Sequence, residues 1–210
     1  MTGALTIRKV AAADAARVSE IFLSSRRTAM PWLARPRTDD EVRRWHIDVL
    51  VPRGTVLVAE REGEVVGFAE PTDGWLNALY VAPPAQGTGV GSALFERAMS
   101  VQPTGLDLWV FQRNTRALDF YARYGCVEVR RTDGAENQER EPDVLLHWSP
   151  TRGTPSVRPS STGVLRAAPP LGLPGRRRPE QPGRRRPGPR PPCHAGQCQG
   201  HRRSHHVGHR

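Results

Sequence analysis

Between Leu79 and Ala98 an apolar run passes through a glycine-dense turn into an amphipathic stretch. It reads Leu79-Tyr80-Val81, Ala82-Pro83-Pro84-Ala85, Gln86-Gly87-Thr88-Gly89-Val90-Gly91-Ser92, and then Leu94, Phe95 and Ala98 at helical spacing. A strand that delivers the chain through three glycines into a helix restricts the fold to classes that combine strands and helices. The junction also has a chemistry. Glycines let backbone N–H groups approach an anion closely, and a helix N-terminus carries about half a positive charge, so the turn suits a pyrophosphate. A phosphate loop of the Gly-x-x-x-x-Gly-Lys-Ser/Thr type is excluded, because the single lysine is Lys9. A dinucleotide fingerprint fits poorly, because Gly87-x-Gly89-x-Gly91 follows three strand-like runs instead of opening a β-α-β unit. Taken alone, the segment also admits a glycine turn with no ligand.

The rest of the pattern supports an α/β fold. Residues 6–10 read as an opening strand, and Asp14 as the N-cap of a helix that groups Val18, Ile21 and Phe22 and ends near Arg27. Thr38 and Glu41 have capping-box spacing for a second helix to about Val49, closed by Pro52 and Gly54. Residues 55–60, 64–70 and 75–81 read as an antiparallel meander. A helix over 89–99, a strand over 106–111, a helix over 114–124 and strands over 126–131 and 144–148 follow. The expected architecture is a mixed, mostly antiparallel central sheet with flanking helices, in which each strand-helix-strand crossover joins parallel neighbours.

Charge divides the chain in two. The net charge of +10 belongs to residues 151–210, which hold 13 of the 31 basic residues and 11 of the 20 prolines against one acid, Glu180. The first 150 residues carry 18 basic and 20 acidic side chains. The sequence therefore predicts a domain over 1–149 and a disordered Arg/Pro/Gly/His-rich tail over 150–210, which cannot bury enough apolar surface to offset ordering costs of about 1–2 kcal/mol per residue. A basic balance points to nucleic acid, but here only through the tail. No apolar run approaches the roughly 18 residues of a membrane span, Asp14 and Arg17 interrupt any leader pattern, and one cysteine, Cys126, precedes the tail; a cytoplasmic, reducing location is expected, without a membrane partner. The tail set Cys193, Cys198, His201 and His205 lacks ordinary zinc-finger spacing, and no metal is assigned to the domain.

A second motif joins the glycine turn. Gln86, Gly89 and Gly91 form Gln-x-x-Gly-x-Gly, and one strand later stands Asn114-Thr115-Arg116-Ala117-Leu118-Asp119-Phe120-Tyr121-Ala122-Arg123-Tyr124-Gly125-Cys126. In this order they resemble the two signatures of the GCN5-related N-acetyltransferases, with Cys126 in place of the usual aromatic. The resemblance covers about residues 5–149. It implies the acyl-CoA N-acyltransferase fold, acetyl-CoA as cosubstrate, and acetyl transfer to an amine by direct attack. It further implies that Leu79, Tyr80 and Val81 line the pantetheine arm, with backbone groups of Leu79 and Val81 pairing to it between splayed strands. Amides of Gly87, Thr88, Gly89, Val90, Gly91 and Ser92 would hold the pyrophosphate. Asn114 would contact the cofactor arm while also serving as an N-cap. Tyr121 would be the general acid for the departing thiolate, a role open to a phenol that ordinarily titrates near 10.

The general base is less legible. Where some family members carry a glutamate base this chain has Trp109, which leaves Glu70 as the leading candidate and Asp73 behind it. Glu136, Glu139, Glu141 and Asp143 form an acidic loop that could draw a cationic acceptor or simply be solvated. Trp32, Trp45 and Trp75 are candidates for the acceptor site or for ordinary packing. The acceptor is a small-molecule or protein amine: a polyamine, an amino acid, an aminoglycoside-like compound or a protein N-terminus. Two other functions are compatible with these residues, a degenerate acyl-CoA-binding regulatory module and a nucleic-acid-binding protein acting through its tail. A homodimer is also compatible with them.

Overall fold

The computed structural model describes residues 3–150. The chain runs β1 (Leu5–Lys9), α1 (Ala15–Ala29), α2 (Asp39–Trp45), β2 (Leu57–Arg61), β3 (Glu64–Thr72), β4 (Trp75–Val81), α3 (Val90–Val101), β5 (Leu106–Phe111), α4 (Thr115–Arg123), β6 (Val127–Thr132) and β7 (Asp143–Trp148). The seven strands form one sheet in the order β1-β2-β3-β4-β5-β7-β6. Only β4 and β5 pair in parallel; the other neighbours are antiparallel. The mixed, mostly antiparallel sheet with flanking helices is as the patterning predicts. One expectation is corrected: the β5-α4-β6 crossover does not join neighbours, because β7 inserts between them and pairs antiparallel with both.

Local chemistry explains the element ends. Thr38 accepts from the Glu41 amide at 3.2 Å while Glu41 accepts from the Thr38 amide at 2.7 Å, the reciprocal box that starts α2. Beyond Trp45 the helix widens into a π turn over His46–Leu50 and then tightens over Val51–Arg53, where Pro52 supplies no N–H. Asp14, expected as the N-cap of α1, caps nothing there with its side chain. Its carboxylate instead accepts from the Ala11 amide at 2.7 Å and from Arg8, and the Arg8 hydrogen bond holds it below the usual carboxylate range.

Helices cover the sheet on two faces, and each face has its own core. One is built by Leu94, Phe95 and Ala98 of α3 and Ala117, Phe120 and Tyr121 of α4 against Leu76, Leu79, Leu108 and Val110. On the other, Val18, Ile21 and Phe22 of α1 and Val42 of α2 pack on Val58, Phe68 and Tyr80. His46 lies in this second core, 1% exposed, with Nδ1 3.1 Å from Ser19 Oγ and its ring 5.1 Å from that of Phe22. Burial pushes its pKa down to about 4, so it is a neutral core histidine at physiological pH. Among the described residues no helix is long and apolar enough to cross a membrane.

Candidate functional site

The parallel pair at the centre of the sheet is barely a pair. β4 and β5 are in register only at Trp75 and Asp107, near their N-terminal ends, and they part toward Val81 and Phe111. Ala82 donates to the Val66 carbonyl at 2.8 Å, and the ladder continues through Tyr80 and Phe68. Because peptide groups alternate in direction along a strand, those of Leu79 and Val81 face away from β3, into the gap. Tyr80 differs from its two neighbours. Its peptide lies in the β3 ladder, and its buried ring packs between Phe22 at 4.8 Å and Phe68 at 5.4 Å, so the structure does not bring it to the gap. The Val81 carbonyl accepts from Ser25 Oγ at 2.7 Å and from Gln86 Nε2 at 3.1 Å, tying the gap to α1 and to the glycine turn.

The turn opens directly above this gap. Gly89 is the N-cap of α3 with φ +86°, and Gly87 has φ +78°, a region that favours glycine. A Cβ at either position would meet no described residue within 4 Å, so among the described residues the backbone borders open space on that side. Among the described residues no side chain caps α3, and its first helical bond runs from Ala93 to the Gly89 carbonyl. The amides of Val90, Gly91 and Ser92 therefore have no helical acceptor and lie where the dipole is positive. Thr88 is anchored: its hydroxyl donates to the Ala85 carbonyl at 2.8 Å and accepts from Arg61 Nη1 at 3.0 Å. Arg61 was not singled out from sequence; a single arginine in a strand carries no positional signal until the strands are paired.

Asn114 caps α4 by accepting from the Ala117 amide at 3.3 Å, and its side-chain amide faces Met30 Sδ at 3.9 Å. Tyr121 is wholly buried on the α3 face, its ring edge-on to Phe95 at 5.2 Å and to Phe120 at 5.1 Å. The nearby Tyr124 hydroxyl donates to Glu96 at 3.2 Å. Burial is the main cause that raises the Tyr124 pKa. Burial pushes the Cys126 thiol up to about 12, which disfavours the thiolate a nucleophile needs.

Glu70 is 5% exposed and so is no solvated strand-end group. Alternation from Phe68 places it on the α1 face, beside Thr55 Oγ1 at 3.5 Å and Arg53 at 3.8 Å. It stands opposite an extra residue in β4, for the register skips from Ala69↔Leu79 to Pro71↔Leu76. This bulge lies where β4 leaves β5. Asp73 instead occupies the turn at the closed end, next to the bond from the Asp107 amide to the Gly74 carbonyl.

Glu136 of the acidic loop is exposed, but the other three acids are buried or half-buried in the fold. Asn137, buried, donates to the Glu141 carbonyl at 2.7 Å and to Asp143 at 3.0 Å, and accepts from the Glu141 amide. Glu139 is paired with Arg26 of α1 at 2.9 Å, and Glu141 with Arg113 at 3.7 Å. Of the tryptophans, Trp75 packs with Trp109 and Leu145, Trp32 with Phe111 under Arg113, and Trp45 against His46. Among the described residues no group of three or more potential metal ligands occurs. The expected disordered tail and its Cys193, Cys198, His201 and His205 lie outside the described residues.

Comparisons with known proteins agree with this geometry. Residues 52–127 match the family model described as an acetyltransferase (GNAT) domain. A peptidyl-lysine N-acetyltransferase of Salmonella typhimurium, YjaB, is 38% identical over 78 residues, 37% of this chain and 52% of that protein. The chain thus spans about half the length of the curated relatives it matches. The solution structure of apo YjaB from Escherichia coli superposes with a TM-score of 0.59 at 24% identity, over 69% of this chain and 97% of that one. The crystal structure of the PaiA N-acetyltransferase of Thermoplasma acidophilum in complex with coenzyme A gives 0.58 at 18% identity, over 70% and 99%.

Proposed function

We propose, on the premise that this chain belongs to the GNAT acetyltransferase family through residues 52–127, that it transfers an acetyl group from acetyl-CoA to an amine. The observation that carries the reading is the coincidence of two features. A parallel strand pair that is in register at one position opens toward a helix N-terminus that no side chain among the described residues caps. An extended, amide-bearing arm ending in a pyrophosphate suits both at once: Leu79 offers its peptide groups and Val81 its N–H to the arm, the Val81 carbonyl being held by Ser25 and Gln86, and the backbone from Gly87 to Ser92 offers N–H groups to the phosphates. Open space beyond Gly87 and Gly89 is the room a phosphate needs.

The two candidate proton-transfer residues stand on opposite faces of the sheet, Tyr121 with α3 and α4 and Glu70 with α1. This arrangement suits direct attack. The amine approaches from the α1 face and its nitrogen lone pair forms the new bond to the thioester carbonyl carbon. The proton it sheds passes to Glu70, directly or through water, while the carbon–sulfur bond breaks and Tyr121 protonates the thiolate on the other face. Asn114 caps the start of α4, the helix that carries Tyr121. A covalent acyl-cysteine route lacks support, because the Cys126 thiol stays protonated at neutral pH.

The test is calorimetric titration of acetyl-CoA into the full chain and into Gly89→Glu, which places bulk and negative charge before the α3 amides. Micromolar binding that weakens by about a hundredfold or more in the variant supports the reading; a folded wild-type chain that binds no acetyl-CoA overturns it.

A further inference from the structure

We infer that the acceptor this chain acetylates carries a carboxylate in addition to its amine, received by a cleft between α1, the connection from α1 to α2, and the β6–β7 loop. The inference rests on the acetyltransferase reading. Phe22 and Arg26 of α1, Arg35 and Arg37 of the connection, Val42 of α2 and Glu139 of the loop line this cleft. The cleft adjoins the open end of β4, since the Phe22 ring packs on Tyr80 and Ser25, next to Arg26, holds the Val81 carbonyl. It lies on the α1 face of the sheet, opposite α3, and so on the side left for the acceptor.

The charges in the cleft do not balance, and the excess is positive. Glu139 is matched by Arg26 at 2.9 Å and Asp39 by Arg27 at 3.0 Å, whereas among the described residues Arg35 and Arg37 have no ion pair within 4 Å, Glu41 acting on Arg37 only from longer range. Arg26 is 8% exposed, with its guanidinium 5.2 Å over the Phe22 ring and its Nη2 on Glu139. Its Nε is buried without a hydrogen-bond partner among the described residues, and the Nε of Arg37 is in the same state. Both Nε atoms are closed to solvent, so an incoming anion meets the outer edges of Arg35 and Arg37, which have no ion pair within 4 Å among the described residues.

The number and setting of these donors select the anion. Two guanidinium edges suit the two coplanar oxygens of a carboxylate, in charge-assisted hydrogen bonds. Glu139 and Asp39 alongside disfavour a dianionic phosphate, while Arg35 and Arg37 disfavour a polyamine. This replaces the expectation that the acidic loop draws a cationic acceptor, since its Glu139 is already matched from α1.

The experiment uses the full chain at low ionic strength and begins without acetyl-CoA, so that it reports on the cleft independently of cofactor use. Glutarate, its uncharged analogue glutaramide and inorganic phosphate are titrated separately into wild type, Arg35→Gln and Arg37→Gln. Glutarate should bind, glutaramide should not, and either substitution should weaken glutarate by about fivefold or more, with acetyl-CoA affinity unchanged. Equal binding of glutarate and glutaramide, tighter binding of phosphate, or indifference to both substitutions overturns the inference. With acetyl-CoA present, the dipeptide Lys-Asp should show a lower KM than Lys-Asn in wild type and lose that advantage in Arg37→Gln. Equal KM values in wild type overturn the inference and leave the acetyltransferase standing; failure to bind acetyl-CoA sinks the acetyltransferase whatever glutarate does.

Discussion

Arg61 and Thr88 meet across 27 residues of sequence: Arg61 Nη1 donates to Thr88 Oγ1 at 3.0 Å and Nη2 to the Thr88 carbonyl at 3.3 Å. The pair joins the end of β2 to the middle of the glycine turn, and it holds the Thr88 carbonyl on the side of β2. A carbonyl that swung toward the α3 N-terminus would set a negative dipole against an arriving phosphate. Arg61→Ala should therefore weaken acetyl-CoA binding by about fivefold, the effect of roughly 1 kcal/mol from a half-exposed charged contact. Calorimetry checks it, and the melting temperature should change little because no core contact is removed.

Replacing Tyr121 by Phe keeps the ring that packs against Phe95 and Phe120 and deletes only the hydroxyl. If that hydroxyl protonates the thiolate, kcat should fall by about a hundredfold with acetyl-CoA affinity unchanged. The Tyr124→Phe control, which loses a bond to Glu96, should leave kcat within about threefold. Unchanged turnover in Tyr121→Phe would assign the proton to another donor.

His46 makes the fold sensitive to mild acid. Its folded pKa is lowered, from an ordinary 6.5 to about 4, by burial, so below pH 6.5 the unfolded chain takes up a proton that the folded chain refuses. Stability is undiminished above 6.5, declines as the pH falls from 6.5 toward 4, and levels off after a loss of about 3 kcal/mol, at roughly 1.4 kcal/mol per unit. Urea midpoints measured at pH 7, 6, 5 and 4 should show the slope, and His46→Gln should flatten it over this window. Asp14, whose pKa is lowered by Arg8, contributes at lower pH and is separable on that ground.

Gly134 has φ +82°, and a Cβ there would overlap the Glu141 backbone, which no side-chain rotation can relieve. Gly134→Ala should open the loop that Asn137 closes and pull Glu139 from Arg26, at a cost of about 1–3 kcal/mol. The readouts are thermal melting and proteolysis within residues 133–142, which should quicken. Acetyl-CoA affinity should hold, because the glycine turn above β4 shares no residue with this loop.

What the sequence by itself determined was local, and for a physical reason. Strand and helix periods, the Thr38–Glu41 box and the glycines at 87 and 89 are set by residues within a few positions of one another, so their signals survive without a fold. The two matched motifs rest on the same short-range spacing. Tertiary structure alone decided the rest. Inserting β7 between β5 and β6, turning Tyr80 away from the gap and burying Glu70 all depend on which strands pair and on which face each side chain falls. Charge shows the difference most clearly: residues 136–143 read as an acidic surface, but pairing across 113 residues with Arg26 neutralises Glu139 and leaves Arg35 and Arg37 to set the sign of the cleft. Coulomb partners are chosen by distance in space, which no spacing along the chain encodes.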